Sequence, residues 1–453
     1  MVASLWNEAR SRSSFPRLVD DLKVDVLIIG AGYTGLWTAL EIVESSPGTR
    51  VAVVDKEFVG FGASGRNGGW CSSILPMDLD RLATRHGTDS AHGLQQMMFD
   101  VVHDIGATTS RLGIDCDYAL GGTISLIRNS EQRVRADAEI AQSRRHGFGD
   151  DHVVRLSPEE TSRRIRVPGR PESNFQSHCA ALHPRKLVDG LARALVTLGV
   201  EFYEHTTIRK VNEREAATDF GRITADSILL CTEAYTATLP GRRRRVLPLY
   251  SMMIATDPLP SEIWDEIGLD DRTTFADFRH LIIYGQRTAD GRLAFGGRGA
   301  PYHFASRIEP SFDSDEEVKM HLITELRALF PALSTTRFSH HWGGPLAVPR
   351  DWSFSVDYDP VKGLGHAGGY VGDGVATSRL AGCTLADLVL GRRTKRTVMP
   401  FVGHRSPMWE PEPIRWLSVN GLASLAARMD RLESRDRRPS RLVRSVLGRL
   451  TGG

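Results

Sequence analysis

The chain has 453 residues, 41% of them hydrophobic and 25% charged, with a formal net charge of +2. At roughly 150 residues per domain that length carries two to four domains, and the near-neutral balance gives no reason to expect a nucleic-acid partner. Cys71, Cys116, Cys179, Cys231 and Cys383 are scattered without a CxxC spacing, so they read as reduced thiols of a cytoplasmic protein and imply no metal framework. No apolar run reaches the length of about eighteen residues that a transmembrane helix needs, and residues 1–21 lack the apolar core of a signal peptide, so neither a membrane span nor export is expected.

Residues 1–21, polar and interrupted by Pro16, read as a surface arm laid on the first domain. An apolar stretch from Val24 to Ile29 then leads straight into Gly30-Ala31-Gly32-Tyr33-Thr34-Gly35. An amphipathic helix follows, with Leu36, Ala39, Leu40 and Val43 on one face, and then a second apolar run, Val51 to Val54, ends at Asp55 and Lys56. This order of strand, glycines, helix, strand and acidic end is a dinucleotide grip. Gly30 permits the tight turn, Gly32 lets backbone approach a pyrophosphate, and Gly35 lets the helix pack closely on the sheet. The helix start offers unpaired N–H groups to phosphate, while Asp55 can accept both ribose hydroxyls.

A glycine-dense stretch at 59–69 precedes a helical pattern over 79–112. A strand at 120–127 and a charged helix at 131–145 mark an excursion into a second domain. Alternating α/β units return from Pro184, with a helix at 186–198, strands at 200–203 and 207–211, and a buried run at 228–232. Residues 246–356 read as longer strands, at 249–256, 281–284, 293–296 and 336–342, with one helix at 316–329. Beyond Gly363 a third glycine-rich turn leads into a helix at 375–390. A tail from Ser406 carries two amphipathic segments, one with Leu417, Leu422, Leu425, Met429 and Leu432, the other with Leu442, Val443, Val446, Leu447 and Leu450. The expected division is an arm over 1–21, a nucleotide-binding domain over 22–112, 155–245 and 357–400, a substrate domain over 113–154 and 246–356, and a helical tail over 401–453.

The second glycine-rich element contains Gly60, Gly62, Ala63, Ser64, Gly65, Arg66, Asn67, Gly68, Gly69 and Trp70. It begins where a long dinucleotide continues from its ribose toward its reactive ring, so Arg66 can meet the pyrophosphate and Asn67 a planar ring edge. The third element, with Gly372, Asp373, Gly374, Val375 and Ala376, opens a helix. Its positive end can stabilise the charge that a reduced isoalloxazine carries around N1 and C2=O, so flavin fits better than nicotinamide. Gly363-Leu364-Gly365-His366-Ala367-Gly368 also spells GxGxxG, but no buried strand precedes it and a single dinucleotide is expected.

The first fingerprint, the string Ala63-Ser64-Gly65-Arg66-Asn67-Gly68-Gly69 and the run Gly369-Tyr370-Val371-Gly372-Asp373-Gly374-Val375 together resemble the FAD-dependent D-amino-acid/glycine/sarcosine oxidase family. They are most similar to its γ-glutamylputrescine-oxidase-like branch, over about residues 22–391. The resemblance implies a Rossmann-like, glutathione-reductase-type α/β domain for noncovalent FAD, interrupted by an antiparallel-sheet α+β substrate domain that roofs the flavin. It places Ile208 and Thr232 near the adenine half, and it implies oxidation of a C–N bond in an amine or amino acid. One departure concerns oxygen: the sarcosine-oxidase branch uses a substrate-domain lysine to promote its attack, and here no lysine occurs between Lys210 and Lys319. Nor does any cysteine between Cys231 and Cys383 offer covalent attachment.

The expected reaction is hydride transfer to flavin N5 followed by hydrolysis of the imine, with oxygen or another acceptor taking the electrons. Such chemistry asks the protein for orientation and for surroundings that favour a neutral amine. Arg298 can hold a substrate carboxylate or phosphonate, or instead form a salt bridge at the domain interface; Tyr250, Tyr284, His303, His341 and Trp342 are further pocket candidates, although an aromatic on a strand is more often core, and Asp373 can pair with a substrate amine. Alternatives are a dehydrogenase feeding a quinone or carrier, a flavin-dependent RNA-modifying protein, and a noncatalytic nucleotide-binding module. The run Arg242-Arg243-Arg244-Arg245 reads as a solvated loop where the chain crosses between domains. The tail permits peripheral membrane contact, although packing on the chain's own body or on a second subunit is the favoured reading.

Overall fold

A computed structural model of the chain describes residues 4–8, 14–435 and 437. The strand Leu22–Ile29 has parallel neighbours on both sides, Arg222–Leu230 and Val51–Val54. Val26 and Ile28 face one core and Leu27 and Ile29 the other, so both faces are covered and its second half is continuously apolar instead of alternating. Glu201–Tyr203 extends the sheet beyond Val51–Val54, and Leu364–Gly368 with Ser355–Asp359 extends it on the other side. Helices Tyr33–Ser45, Thr88–Arg111, Pro184–Thr197 and Gly374–Val389 contribute Trp37, Met98, Leu187 and Leu385 to the larger core of this domain. A second core joins Leu27, Ala52 and Ile228 to Ala216, from the hairpin of Lys210–Asn212 and Glu215–Ala217.

The second sheet has eight strands, in the order Phe338–Val348, Leu247–Thr256, Leu293–Arg298, Ile283–Arg287, Thr274–Asp277, Thr123–Leu126, Ser173–Gln176 and Val153–Leu156. All neighbours are antiparallel except Thr274–Asp277 beside Thr123–Leu126. The two-residue alternation of a strand separates its faces. Tyr250, Met252 and Ile254 pack with Leu322 and Leu326 of helix Glu316–Leu329, whereas Met253, Ala255 and Trp342 pack with Leu5 and Trp6.

Several elements differ from the sequence reading. Val153–Leu156 and Ser173–Gln176 lie in the second sheet, so the excursion continues well past residue 154; the polar Ser173-Asn174-Phe175-Gln176 gives no apolar alternation that would reveal a strand. The pattern over 79–112 is two helices, Leu79–His86 and Thr88–Arg111, broken at Gly87 with φ +89°. Leu364–Gly368 is itself a strand, so its GxGxxG spelling is a sheet segment and the third turn begins only at Gly369. The arm is not merely a polar surface segment laid on the first domain: Leu5 and Trp6 are buried against the second sheet. The first tail segment forms helix Ile414–Glu433, which docks on the substrate domain as Asp430 accepts the His280 and Leu281 N–H groups. The segment with Leu442 to Leu450 lies outside the described residues. Among the described residues no helix is long and apolar enough to cross a membrane.

Candidate active site

The first glycine loop is shaped by the absence of Cβ atoms. Gly30 has φ +112°, and a Cβ there would lie 2.4 Å from the Cys231 carbonyl oxygen; at Gly35 it would lie 2.1 Å from the Gly30 oxygen. Helix Tyr33–Ser45 therefore seats directly on the strand, beginning at Gly32 with no side-chain cap. The Ala31 and Glu57 N–H groups donate to Asp55 at 2.9 and 2.8 Å. Burial nonetheless pushes the Asp55 carboxyl up to about 6, because these two bonds do not repay the loss of water. The Lys56 side chain is turned to solvent. Thr232 precedes the short helix Glu233–Thr238, its hydroxyl bonded to Thr236 at 2.8 Å, and Ile208 packs at the edge of the smaller core.

The second glycine loop departs from expectation in two side chains. Asn67 is not free for a ring edge: its amide donates to the Ala63 and Ser64 carbonyls at 3.0 and 3.2 Å, and its oxygen accepts the Gly69 N–H at 2.8 Å, folding the loop onto itself. Arg66 does not reach out for phosphate; it donates to Asp313 at 2.7 Å and to the Tyr235 hydroxyl at 3.2 Å, clamping the loop to the substrate domain. Ser64 accepts the Tyr33 N–H at 2.9 Å, bringing this loop to the first helix start, and Trp70 donates to Gly285 at 3.3 Å. The substrate sheet lies close above: a Cβ on Gly68 would fall 2.4 Å from the Tyr284 ring, and Gln286 donates to the Gly68 carbonyl at 2.6 Å. Arg185, which sequence reasoning missed, pairs with Asp189 through both carboxylate oxygens and donates to the Val59 carbonyl at 2.7 Å.

Glu233, also missed, organises the third loop by accepting the Gly369 and Tyr370 N–H groups at 2.9 and 3.3 Å, and burial pushes its carboxyl up to about 7. The Tyr370 hydroxyl meets the Thr34 hydroxyl at 2.9 Å, joining glycine elements 336 residues apart. Val371 and Gly372 take φ +57° and +111°, turning the chain into helix Gly374–Val389, which begins at Asp373 without a side-chain cap. Val375 and Ala376 lie buried in its first turn. Two helix starts whose N-cap residues supply no side-chain cap are thus tied together beside a desolvated strand-end carboxyl, in glycine turns that admit no Cβ at Gly30 or Gly35. That combination fits a phosphate-bearing dinucleotide with a ribose and a ring that accumulates negative charge.

Arg298, Asp373 and Tyr284 gather at this third loop. Arg298 donates to the Val371 carbonyl at 2.8 Å and lies over the Trp352 ring, 5.8 Å from its centre. Burial pushes Asp373 up to about 6, with Arg298 pulling the other way, and Arg298 acts likewise on half-buried Tyr284. The Tyr284 hydroxyl bonds Ser251 at 3.0 Å. The remaining candidates are placed elsewhere. Tyr250 belongs to the helix-covered face, edge-on to His303, and His303 stacks on Phe312 at 3.5 Å. His341, paired in register with Ile254, lies on that same face. Trp342 is wholly buried, donating to the Arg66 carbonyl at 2.8 Å, and so supports the second loop instead of lining a pocket.

The fold and the paired helix starts define a dinucleotide-binding α/β protein with a substrate sheet closed over its glycine loops. A family model described as FAD dependent oxidoreductase (DAO) matches residues 25–388, and the chain belongs to that family, with FAD as its cofactor. It is 29% identical to the probable oxidoreductase OrdL of Haemophilus influenzae, over 90% of this chain and 92% of that one. It is 28% identical to the gamma-glutamylputrescine oxidoreductase of Escherichia coli, over 84% of this chain and 87% of that protein. The solved glycine oxidase of Geobacillus kaustophilus superposes with TM-score 0.70 at 21% identity, covering 85% of this chain and 100% of that one, a likeness of fold. The resemblance read from the three glycine elements, and the α/β class with it, therefore hold.

Proposed function

We propose that this flavoenzyme oxidises a C–N bond of an amine or amino acid to an imine. The observation that carries the reading is the pair of opposite charges at the third loop. Arg298 has no carboxylate within ion-pair distance among the described residues, and Asp373 stands at an uncapped helix start beside it. Arg298 binds the substrate carboxylate, while Asp373, ionised above a pH of about 6, aligns the amine. The nearby guanidinium and the burial of the site favour the neutral amine, whose lone pair must be free, against the pull of the Asp373 carboxylate toward the charged form. The first glycine loop, Asp55 and the helix start at Asp373 would hold FAD noncovalently, and the bound flavin would supply two-electron redox chemistry as hydride acceptor. Tyr284 and Gln286 bring the substrate sheet down on the second loop and keep water from the reacting carbon. The imine is hydrolysed after release to a carbonyl compound and ammonia or a smaller amine. Names borne by the relatives, gamma-glutamylputrescine oxidoreductase and glycine oxidase, support a C–N bond as the target. The lack of a lysine between Lys210 and Lys319 favours a carrier or quinone over oxygen as acceptor. The five free, buried cysteines support a cytoplasmic setting.

Anaerobic titration of the purified yellow protein with amines, amino acids, polyamines and aminophosphonates tests this. At least one class must bleach the flavin absorbance, and bleaching by none overturns the reading. Arg298→Met should raise KM for a carboxylated substrate by roughly 30- to 150-fold, the worth of a lost charge-assisted pair, and leave an uncharged amine unaffected. Oxygen uptake compared with reduction of an artificial acceptor then identifies the oxidant.

A further inference from the structure

The arginine run at 242–245 packs against the C-terminal region. Arg244 exchanges two hydrogen bonds with Trp409, its Nε donating to the Trp409 carbonyl and its own carbonyl accepting the Trp409 N–H at 2.9 Å. The Arg243 carbonyl accepts from buried Arg415 at 3.3 Å and from Ser306 at 3.5 Å. Arg243, Arg244 and Arg245 keep their side chains exposed. Arg405 joins them, since Arg242, Arg245 and Arg405 all lie close enough to His366 to depress its pKa. Of the acids nearby, Glu412 pairs with Arg415, Glu410 with Arg350 and Glu309 with Arg307, and Asp357, close to His366, offsets only part of the arginine charge. Beside this net positive charge stand Phe304, Met408, Ile414, Trp416 and Leu417, each between 39% and 59% exposed. A groove of about 580 Å³ lined by His303, Phe304, Arg307, Trp416 and Leu417 runs among them.

We infer that this face docks on an anionic lipid surface, its aromatic and aliphatic side chains entering the headgroup boundary while Arg243, Arg244, Arg245 and Arg405 meet lipid phosphates. The inference is independent of the amine chemistry. Protruding Trp, Phe, Leu, Ile and Met ringed by arginine is the composition that an interface between headgroup and acyl chain rewards. Nucleic acid would reward the arginines but not Ile414, Leu417 or Met408. A second copy docked on this face across a two-fold axis would bring the arginine runs toward each other, a like-charge arrangement that disfavours it.

Full-length holoenzyme is sedimented with vesicles of phosphatidylcholine alone and with 30% phosphatidylglycerol, at low and at raised salt. Binding is expected only to the anionic vesicles, and it falls as salt rises. At about 1 kcal/mol per arginine near such a surface, Arg243→Glu/Arg244→Glu/Arg245→Glu weakens partitioning by at least 100-fold. Trp416→Asp/Leu417→Asp weakens it at unchanged charge in the arginine run. All five side chains are exposed, and retained flavin absorbance confirms folding. The proposal is overturned by no binding to anionic vesicles, equal binding to neutral ones, variants that bind as wild type does, or a dimer in sedimentation velocity that Trp416→Asp/Leu417→Asp dissolves. RNA binding of the same strength as vesicle binding likewise overturns it.

Discussion

Removing one member of the Arg66–Asp313 bridge tests whether the second glycine loop is held by the substrate domain or by the cofactor. The two side chains are only 5% and 8% exposed, and their 2.7 Å contact joins residues 247 apart. Burial pushes the Asp313 carboxyl up even with a guanidinium beside it, so desolvation outweighs attraction and the bridge positions the loop more than it stabilises the fold. Asp313→Asn leaves a buried cation uncompensated, its Nε already without a partner, and should cost about 3–5 kcal/mol of unfolding free energy. Arg66→Met should cost a similar amount. The double variant Arg66→Met/Asp313→Leu, with no buried charge left, should cost far less than the sum of the two and can approach wild type. Urea unfolding of the three variants supplies the cycle, and flavin fluorescence on dilution gives FAD affinity. If Arg66 serves the pyrophosphate instead, Asp313→Asn frees it and FAD affinity is unchanged or tighter. Weaker FAD binding in Asp313→Asn supports the clamp, whereas additive costs in the cycle or a stability change below about 1 kcal/mol would refute the reasoning.

Gly35→Ala should yield a colourless protein, because its Cβ would sit 2.1 Å from a backbone oxygen that has no room to retreat; recovery of FAD-bound material would contradict the packing described. Trp6→Phe keeps the ring against Trp342 but removes the donor to the Asn67 carbonyl, so it should cost about 1 kcal/mol in urea unfolding. Trp6→Ala should cost about 3–5 kcal/mol by the same measurement. For Asp373 the pKa is raised from 3.8 to about 6, so the folded state disfavours its ionisation. That contribution is absent below 3.8 and grows to a penalty of about 3 kcal/mol as pH rises through 6. Asp373→Asn apoprotein should therefore gain stability over wild type between pH 4 and pH 7, and a difference that stays constant across that range would disprove the assignment.

The glycine elements were legible because their constraint is local: a position that admits no Cβ announces itself by its residue type. The long helices and the parallel strands were legible for a similar reason, since each buries a continuous or periodic apolar face. Helix Glu316–Leu329 and strand Leu247–Thr256 fall within two residues of their expected bounds. What escaped depends on partners far away in the chain. Ser173–Gln176 is a strand because Thr123–Leu126 and Val153–Leu156 flank it, not because its own residues demand it. Trp6 looked like part of a polar arm, yet it fills a gap between Trp342 and His183 that no local pattern foretells. Glu233 and Arg185 carry no motif; each is recognisable only once the backbone groups it satisfies have been brought to it.

Arg66 and Arg298 show what decides between structure and function at such a site. Both are arginines beside glycines, and composition treats them alike. Arg66 meets a carboxylate across the domain boundary and a tyrosine hydroxyl, so its charge is committed within the fold. Arg298 donates to the Val371 carbonyl and lies over the face of Trp352, with Asp373 near enough to feel its charge but, among the described residues, no carboxylate within ion-pair distance. A buried or half-buried cation without a counter-ion is costly unless something else supplies the charge. On the proposed reading a substrate anion at the third loop relieves that cost, and this imbalance, more than the identity of the residue, is what supports Arg298 as the side chain that meets the ligand.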